Sequence, residues 1–408
     1  MFTSIKCIPD NPMKTILFCQ FHNNLINGNY EKSIADCYYT GIYKHKEIDG
    51  YYKSDCFFEL PLWIAEIKGS IEDNYISKLL IIDDIQKAIN EISIVNPDYI
   101  CFSVLDVNKA FIHEIIKACP DRLFILGGYI NFEGFKAYNN VKIFDSIKAF
   151  IEFLGLPYIY NLDYSLFKGY KTIPRLTLSK GCTNRCKLCI VEKQITEINK
   201  RDIIKQIKAF KDLRFKLVYL NDKTLGQCDN YKLLPLIYKR IKAYNPDFKG
   251  FIIQTTCNMI LKQAFIDVIK HSHIFACELG IETYNNDLLK DLKKPQNIRI
   301  IDKAMNQLIK LDVKIIPNII IGLIGENKKT YDNTLNFIKH YQDNIYLLNI
   351  YNLALYLNSD LAKEIQVKSD NDLNENSTNK SFYNDTALKD NEYFYNGVFK
   401  IGLQILTK

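Results

Sequence analysis

An α/β chain in two parts is what the sequence predicts: an open, doubly wound (Rossmann/flavodoxin-like) parallel sheet, then a partial (β/α)6 barrel. Three observations carry this. Short apolar runs rich in Ile, Val, Phe and Tyr alternate with segments of helical spacing from about residue 84 to 355, the pattern of parallel strands joined by crossover helices. A loop holding three cysteines follows directly on one of the strand-like runs, at Ser179–Val191. A polar Asn/Asp/Ser/Lys stretch at Lys368–Asn391 then interrupts the pattern, as a linker would. The expected division is 1–155 for the first sheet, 170–357 for the barrel and 358–408 for a linker and C-terminal segment.

In the first part, Met13–Cys19 reads as a buried strand, and Ile85, Ala88, Ile89 and Ile92 mark a helix within Asp84–Val95. Asn96-Pro97-Asp98 stops it, and Tyr99–Ser103 is the next strand. Ala110–Ala118 is helical, Leu123–Leu126 a strand ending in Gly127-Gly128, and Val141–Phe144 with Ser146–Leu154 a last strand–helix unit. In the second part the strands are Pro174–Leu178, Phe215–Leu220, Phe251–Thr255, Ile274–Gly280, Val313–Ile321 and Ile345–Tyr351. Amphipathic helices are expected over Arg201–Leu213, Asn258–Ile269, Arg299–Leu311 and Lys329–His340. Six such units make a laterally open barrel, whose working residues belong at the strand C-terminal ends. Phe399, Ile401, Leu403 and Ile405 alternate with Lys400, Gly402 and Gln404, which predicts a final strand.

Composition excludes several classes. The chain has 408 residues, 48% hydrophobic and 24% charged, with a net charge of +7 scattered over many lysines. No block of like charge or basic patch marks a nucleic-acid surface, so a nucleic-acid partner is not expected. The segment MFTSIKCIPDNPMK lacks signal-peptide order. The longest apolar run, Ile315–Ile324, contains Pro317 and Asn318 and is far shorter than the ~20 residues a bilayer requires. Twelve cysteines without a leader are expected as cytoplasmic thiols, most of them small buried hydrophobes.

Cys182, Cys186 and Cys189 form C-x3-C-x2-C. Soft thiolates favour zinc or an iron–sulfur cluster. Structural zinc wants four closed ligands, but no His lies between His113 and His271 and the next Cys is Cys228. A [4Fe-4S] cube on three Cys leaves one iron for another ligand.

This loop resembles that of the radical S-adenosylmethionine (SAM) superfamily. The resemblance implies that Cys182, Cys186 and Cys189 hold a [4Fe-4S] cluster and form the reaction centre. It also implies that SAM chelates the open iron and is reductively cleaved to a 5′-deoxyadenosyl radical, with flavodoxin or ferredoxin as a typical electron donor. Leu188 stands where the family often has an aromatic against adenine. Cys277–Pro295 (CELGIETYNNDLLKDLKKP) is similar to the family's Gly-Ile-Glu-Ser/Thr stretch, and Asn318–Leu335 to its Gly-x-Pro-Gly-Glu segment, with Ile324 in place of Pro. By that match Glu282 and Asn318 approach SAM, and Asp222 and Gln254 line the pocket. The bland alternative for a strand-end carboxylate is a cap on the next helix. Lys180, Arg185 and Lys187 would meet the SAM carboxylate, raise the cluster potential or simply be solvated.

The first part resembles the cobalamin-binding-type domain that precedes many radical SAM barrels. Ser103 after one strand and Gly127-Gly128 after the next carry the likeness, as small residues that let a flat, bulky ligand approach the backbone. The DxHxxG motif is missing; the nearest match, FHNNLING, has Gln20 before His22, and Gly28 stands too far away. Bound cobalamin and a degenerate domain kept for substrate or packing are both open readings. Methylthiotransferases carry three extra Cys in this domain. Cys19, Cys101 and Cys119 match them poorly, since Gly128 stands where a strand-end Cys is wanted and Cys119 is expected inside a helix.

The expected function is radical chemistry on a small molecule: methylation of an unactivated carbon if cobalamin binds, otherwise hydrogen abstraction leading to rearrangement, oxidation or cyclisation. The alternatives are a non-catalytic iron–sulfur sensor or scaffold and an RNA-modifying enzyme, the latter predicting salt-sensitive tRNA binding.

Overall fold

The computed structural model describes residues 12–22, 56–57, 60–105, 108–128, 132–356, 359–364, 380–381 and 395–406. These divide into two compact units, one holding 61–168 together with the first strand, the other holding 169–408.

The first unit is a five-stranded parallel sheet. Its strands are β1 (Thr15–Phe21), β2 (Ile76–Ile82), β3 (Tyr99–Val104), β4 (Phe124–Gly128) and β5 (Val141–Ile143), in the spatial order β2-β1-β3-β4-β5. Crossover helices are α1 (Leu62–Ile71), α2 (Ile85–Val95), α3 (Lys109–Ala118) and α4 (Ile147–Phe153). β1 is buried on both faces, which is why it reads as a continuous apolar run. Asp84 caps α2 by accepting from Lys87 N at 2.7 Å, and Asn96 ends it at φ 49°. Ser146 caps α4 in the same way. The core gathers Leu17, Phe21, Phe102, Ile112, Ile115 and Phe124. The segment after α4 stays with this unit: Asp163 N donates to Ala65 O (3.0 Å), and Tyr158 Oη to Glu66 Oε1 (2.6 Å).

Two elements of this unit had no counterpart in the sequence reading. α1 buries six of its ten residues and shows no polar face. β2, at the sheet edge, is only partly buried and carries no turn signal at its start. Cys119 is a correction: it lies just past α3 as the C-cap, not inside the helix. In FHNNLING, residues 23–28 with Gly28 lie outside the described residues, as do Tyr129 and, apart from 380–381, the Lys368–Asn391 stretch.

The second unit holds six parallel strands, β6 (Arg175–Leu176), β9 (Leu217–Leu220), β10 (Gly250–Thr255), β11 (Ile274–Glu282), β12 (Lys314–Ile321) and β13 (Asn349–Asn352), lying side by side in that order. An antiparallel pair, β7 (Ser179–Lys180) and β8 (Thr196–Glu197), brackets the cysteine loop. The helices are α5 (Lys200–Ala209), α6 (Leu234–Tyr244), α7 (Cys257–Ile260), α8 (Gln263–Ser272), α9 (Asn286–Asp291), α10 (Ile298–Lys310), α11 (Lys328–Tyr341), α12 (Asp360–Glu364) and α13 (Lys400–Leu406). β6 and β13 do not pair, so this is an open, partial (β/α)6 barrel. The helix expected over Asn258–Ile269 is two, because Lys262 adopts an extended ψ of 124° between them. The expected final strand is also corrected. Val398, Phe399, Ile401, Gly402, Ile405 and Leu406 are the buried residues there, a spacing that puts one face of a helix inward.

In-register residues on neighbouring parallel strands project to the same face. On one face of this sheet stand Phe251, Ile253, Cys277, Leu279, Ile315, Pro317, Ile319 and Ile350, nearly all wholly buried. On the other stand Arg175, Tyr219, Gln254, Glu278, Asn318, Asn349 and Tyr351. An apolar outer face and an inner face on which these polar side chains stand among Ile252, Ala276, Ile316 and Ile320 define the barrel's two sides. No helix of the described residues is long and apolar enough to cross a membrane.

Candidate functional site

Where β6 ends, the backbone leaves the sheet and its buried polar groups need other partners. Three buried side chains supply them. Gln206 accepts from Thr177 N (2.9 Å) and donates to Thr177 O (3.0 Å). Asp222 accepts from Leu178 N (3.0 Å) and from the Ser179 hydroxyl. Asn230 donates to Leu178 O (2.9 Å) and Ile198 O (2.7 Å), closing the base of the β7–β8 pair. Burial pushes the Asp222 carboxyl up, against the pull of these hydrogen bonds. Asp222 thus roots the cysteine loop in the barrel. Gln206 and Asn230 were not singled out in the sequence, since nothing in their spacing marks a loop root.

The loop itself is pinned along its length. Gly181 has φ +83°, and a Cβ there would meet Gln194 O at 1.8 Å, so only glycine fits. Cys182 N donates to Glu192 O (2.8 Å), Thr183 N to the Gln227 side chain (2.9 Å), Lys187 N to Leu292 O (3.0 Å) and Leu361 N to Lys187 O (3.0 Å). The Lys187 ammonium pairs with Glu364 at 2.6 Å. Leu188 packs against an apolar cluster of Leu288, Leu292, Leu323, Leu353 and Leu361, an aliphatic wall where the family often has a ring.

Cys182, Cys186 and Cys189 are all free thiols, Cys182 buried and the others half-exposed. The Cys182 sulfur lies 3.4 Å from Thr224 Oγ1, and Val191 N donates to the Cys189 sulfur at 3.4 Å. Burial raises the Cys186 thiol, Lys294 lowers it, and Glu282, Cys189 and Cys182 raise it further, so the three sulfurs share one electrostatic neighbourhood. Among the described residues no group of three or more His, Cys, Asp or Glu surrounds a single metal-ion position. Three soft thiolates on one loop are the donor chemistry of an iron–sulfur cluster that keeps one iron open.

Glu282 ends β11 at a register shift, with φ +67°, a left-handed conformation a non-glycine residue adopts at a cost. The shift aims its carboxylate at Lys294, 2.6 Å away, with side chains only 14% and 10% exposed. Burial alone would lower the Lys294 ammonium, but Glu282 and the Cys186 sulfur more than offset it and hold the group above its ordinary range. Lys294 was missed in the sequence, where it is one lysine of a Lys-Lys-Pro run. Asn318 is buried on the inner face and accepts from Asn349 Nδ2 at 2.9 Å; Gln254 is half-buried, in register with Glu278. Deeper on that face the Arg175 guanidinium lies 4.0 Å over the Tyr219 ring, and Tyr219 Oη donates to Glu278 at 3.0 Å. Burial raises both Tyr219 and Glu278.

In the first unit, the strand order reverses at β1/β3, the switch point of a flavodoxin-like sheet, where ligands sit beyond the strand ends. Ser103 and Val104 end β3 in register with Gly127 and Gly128 of β4. Gly128 has φ +143°, and a Cβ would lie 2.2 Å from Val104 O. Asn108, also missed in the sequence, clamps the turn by donating to Ser103 O (3.0 Å) and accepting from Leu105 N (2.8 Å). At these ends Leu105 is 47% exposed and Gly128 exposed. Cys19 stands in register with Phe102, and Cys101 with Phe18, so these two thiols point to opposite faces and cannot join one cluster.

Residues 176–338 match the family model described as the radical SAM superfamily. The ribosomal protein uS12 methylthiotransferase RimO of Thermosipho melanesiensis is 24% identical over 195 residues, 44% of this chain and 44% of that protein. The chain therefore spans less than half the length of this curated relative. Among solved structures, the cobalamin-dependent SAM radical enzyme OxsB, with aqua-cobalamin and SAM bound, superposes with a TM-score of 0.62. That match has 13% identity and covers 87% of this chain and 61% of OxsB. The radical SAM methyltransferase TsrM from Kitasatospora setae, with cobalamin and a [4Fe-4S] cluster bound, gives a TM-score of 0.57 at 12% identity, covering 87% of this chain and 78% of TsrM. At such identities the likeness is one of fold.

Proposed function

We propose, for a chain that carries a radical SAM domain over residues 176–338, an enzyme that starts radical chemistry on a small polar molecule, with methyl transfer as the favoured outcome. The observation that carries this reading is the pinned loop of three disulfide-free thiols on an open barrel whose inner face carries Gln254, Glu278, Asn318 and Asn349. Cys182, Cys186 and Cys189 are the residues to hold a [4Fe-4S] cluster. When bound, the cluster supplies the electron that breaks the sulfonium of SAM, and the hard chemistry is the cofactors'.

The chain's own residues bind, orient and exclude water. Glu282 and Lys294 present a carboxylate and an ammonium of the right chemistry for the amino-acid end and ribose hydroxyls of SAM. Gln254 and Asn318 add amides, and Leu188 with its leucine cluster offers the adenine an apolar wall. Asp222 fixes the loop that carries the thiolates. For the substrate, Gln254, Glu278, Asn318 and Asn349 give the inner face hydrogen-bonding donors and acceptors along neighbouring strands, suited to a small polar molecule. A one-electron donor of the flavodoxin or ferredoxin type would serve as redox partner. In the first unit, the ledge of Ser103, Gly127, Gly128 and Leu105 at the β1/β3 switch point fits the flat face of cobalamin, which is what the OxsB and TsrM structures hold. A cobalamin there would lack a histidine from a DxHxxG motif.

The test is anaerobic iron–sulfide reconstitution of the full chain with hydroxocobalamin, followed by desalting, absorption spectroscopy and an assay of 5′-deoxyadenosine with SAM and dithionite. A cluster and nucleoside lost in each Cys→Ala variant, with a retained corrinoid band, is the expected result. A cluster that fails to bind SAM would favour the sensor reading, and tight, salt-sensitive tRNA binding the RNA-modifying one.

A further inference from the structure

A pocket that includes no residue of the cysteine loop lies between α10 and α11 and beside the segment after β11. It has a volume of about 420 Å³, opens to solvent, and is lined by Tyr284, Ile298, Asp302, Asn333, Asn336, Phe337, His340 and Tyr341. Its one anionic group is Asp302, and no lysine or arginine is among the lining residues. The Asp302 carboxylate is held rigidly. Tyr284 Oη donates to one oxygen at 2.7 Å and Tyr341 Oη to the other at 3.2 Å. The rings are fixed in turn: Tyr284 stacks on Phe337 with centroids 4.6 Å apart, Phe337 tilts against Tyr341 at 5.1 Å, and His340 meets Tyr341 edge-on at 4.6 Å.

We infer that this pocket binds a small organic cation, an alkylammonium or quaternary ammonium. Each carboxylate oxygen takes up to two hydrogen bonds, so one tyrosine per oxygen leaves acceptor capacity on both. A lone carboxylate with aromatic side chains and Ile298 beside it suits a cation with apolar flanks, which gains from the negative charge and from apolar contact. A hydrated metal ion asks instead for several oxygen ligands, and no such cluster stands here among the described residues. The volume is that of a small-ligand site, larger than one lysine side chain from a partner would fill. Asn333 and Asn336, exposed at the rim, supply amides for a polar substituent.

The experiment is ligand-observed NMR with the full chain, using choline and its neutral isostere 3,3-dimethyl-1-butanol, with an acetyl-lysine-flanked lysine tripeptide as a third probe. Choline should bind at least tenfold more tightly than the isostere and than the tripeptide. Asp302→Asn should erase the preference over the isostere, and Asn336→Trp, which fills the rim from an exposed position, should block choline while leaving the circular dichroism unchanged. Equal binding of choline and the isostere, or choline binding that survives Asn336→Trp, would overturn the assignment. Tighter binding of the tripeptide would overturn it in favour of a protein partner.

Discussion

Replacing Lys294 with Met strands the Glu282 carboxylate in a site where it is 14% exposed. At 2.6 Å and an effective dielectric near 20, the direct attraction is ~6 kcal/mol. Much of it only offsets the desolvation of the two ions, so the net value of the pair is small. Removing one partner is different, because the other charge keeps its desolvation cost; Lys294→Met should therefore lose ~3–5 kcal/mol of stability. Glu282→Gln leaves the ammonium equally stranded and should cost a similar amount. The double variant removes both charges and should lose no more than about 1 kcal/mol beyond packing, giving a coupling of ~3 kcal/mol or more. Urea unfolding of the apoprotein, followed by far-UV circular dichroism, measures the cycle. Single losses that simply add, with a coupling below about 1 kcal/mol, would refute the claim that these two ions depend on each other.

Three further outcomes follow from the same geometry. Asp222→Ala leaves Leu178 N and the Ser179 hydroxyl without their acceptor, at ~1–3 kcal/mol each; iron retained after reconstitution should fall sharply, and Asp222→Asn, which keeps one acceptor oxygen, should fall between the two. Gly181→Ala drives a Cβ into Gln194 O at a positive φ and should abolish cluster uptake with the circular dichroism intact, whereas normal iron content would show that the loop yields there. Glu326 is buried with its carboxyl pushed up to about 7, burial outweighing the Gly322 and Leu323 amides that donate to it. Because the folded state holds this proton more tightly than the unfolded one, the stabilisation is complete below pH ~4.5 and lost as pH rises through about 7. Glu326→Gln should remove a fall of up to ~3 kcal/mol between pH 5 and 8, read as a shift in urea midpoint; parallel pH profiles for the two proteins would refute this.

Most of the fold was legible because parallel strands buried on both faces announce themselves as apolar runs. β1, β3, β10, β11 and β12 all did so. Those that were not legible fail that condition. β2 is a half-exposed edge, α1 has no polar side to set its period, and α13 carries an alternation that mimics a strand while its burial follows a helix. At the site, the three cysteines and Glu282 were visible because spacing and motif carry them. Gln206 and Asn230 were not, since each acts on a backbone group far away in sequence, and Lys294 was not, since its pairing with Glu282 depends on the turn that ends β11. Asp222 was visible for its chemistry, but its bonds to Leu178 N and the Ser179 hydroxyl were not.

The tethering of the cysteine loop bears on the order in which this protein is made. A zinc finger gains its fold from its metal, so synthesis and metallation are one event. Here the loop is fastened by backbone bonds to Glu192, Leu292 and Leu361 and by the side chain of Gln227, none of which needs iron. The polypeptide can finish folding first and receive its cofactor afterwards, as a completed acceptor with little chain entropy left to lose. Were the three thiolates to hold a cluster, its delivery would be a step separable from folding. An oxidised cluster could be stripped and replaced without discarding the protein that carried it.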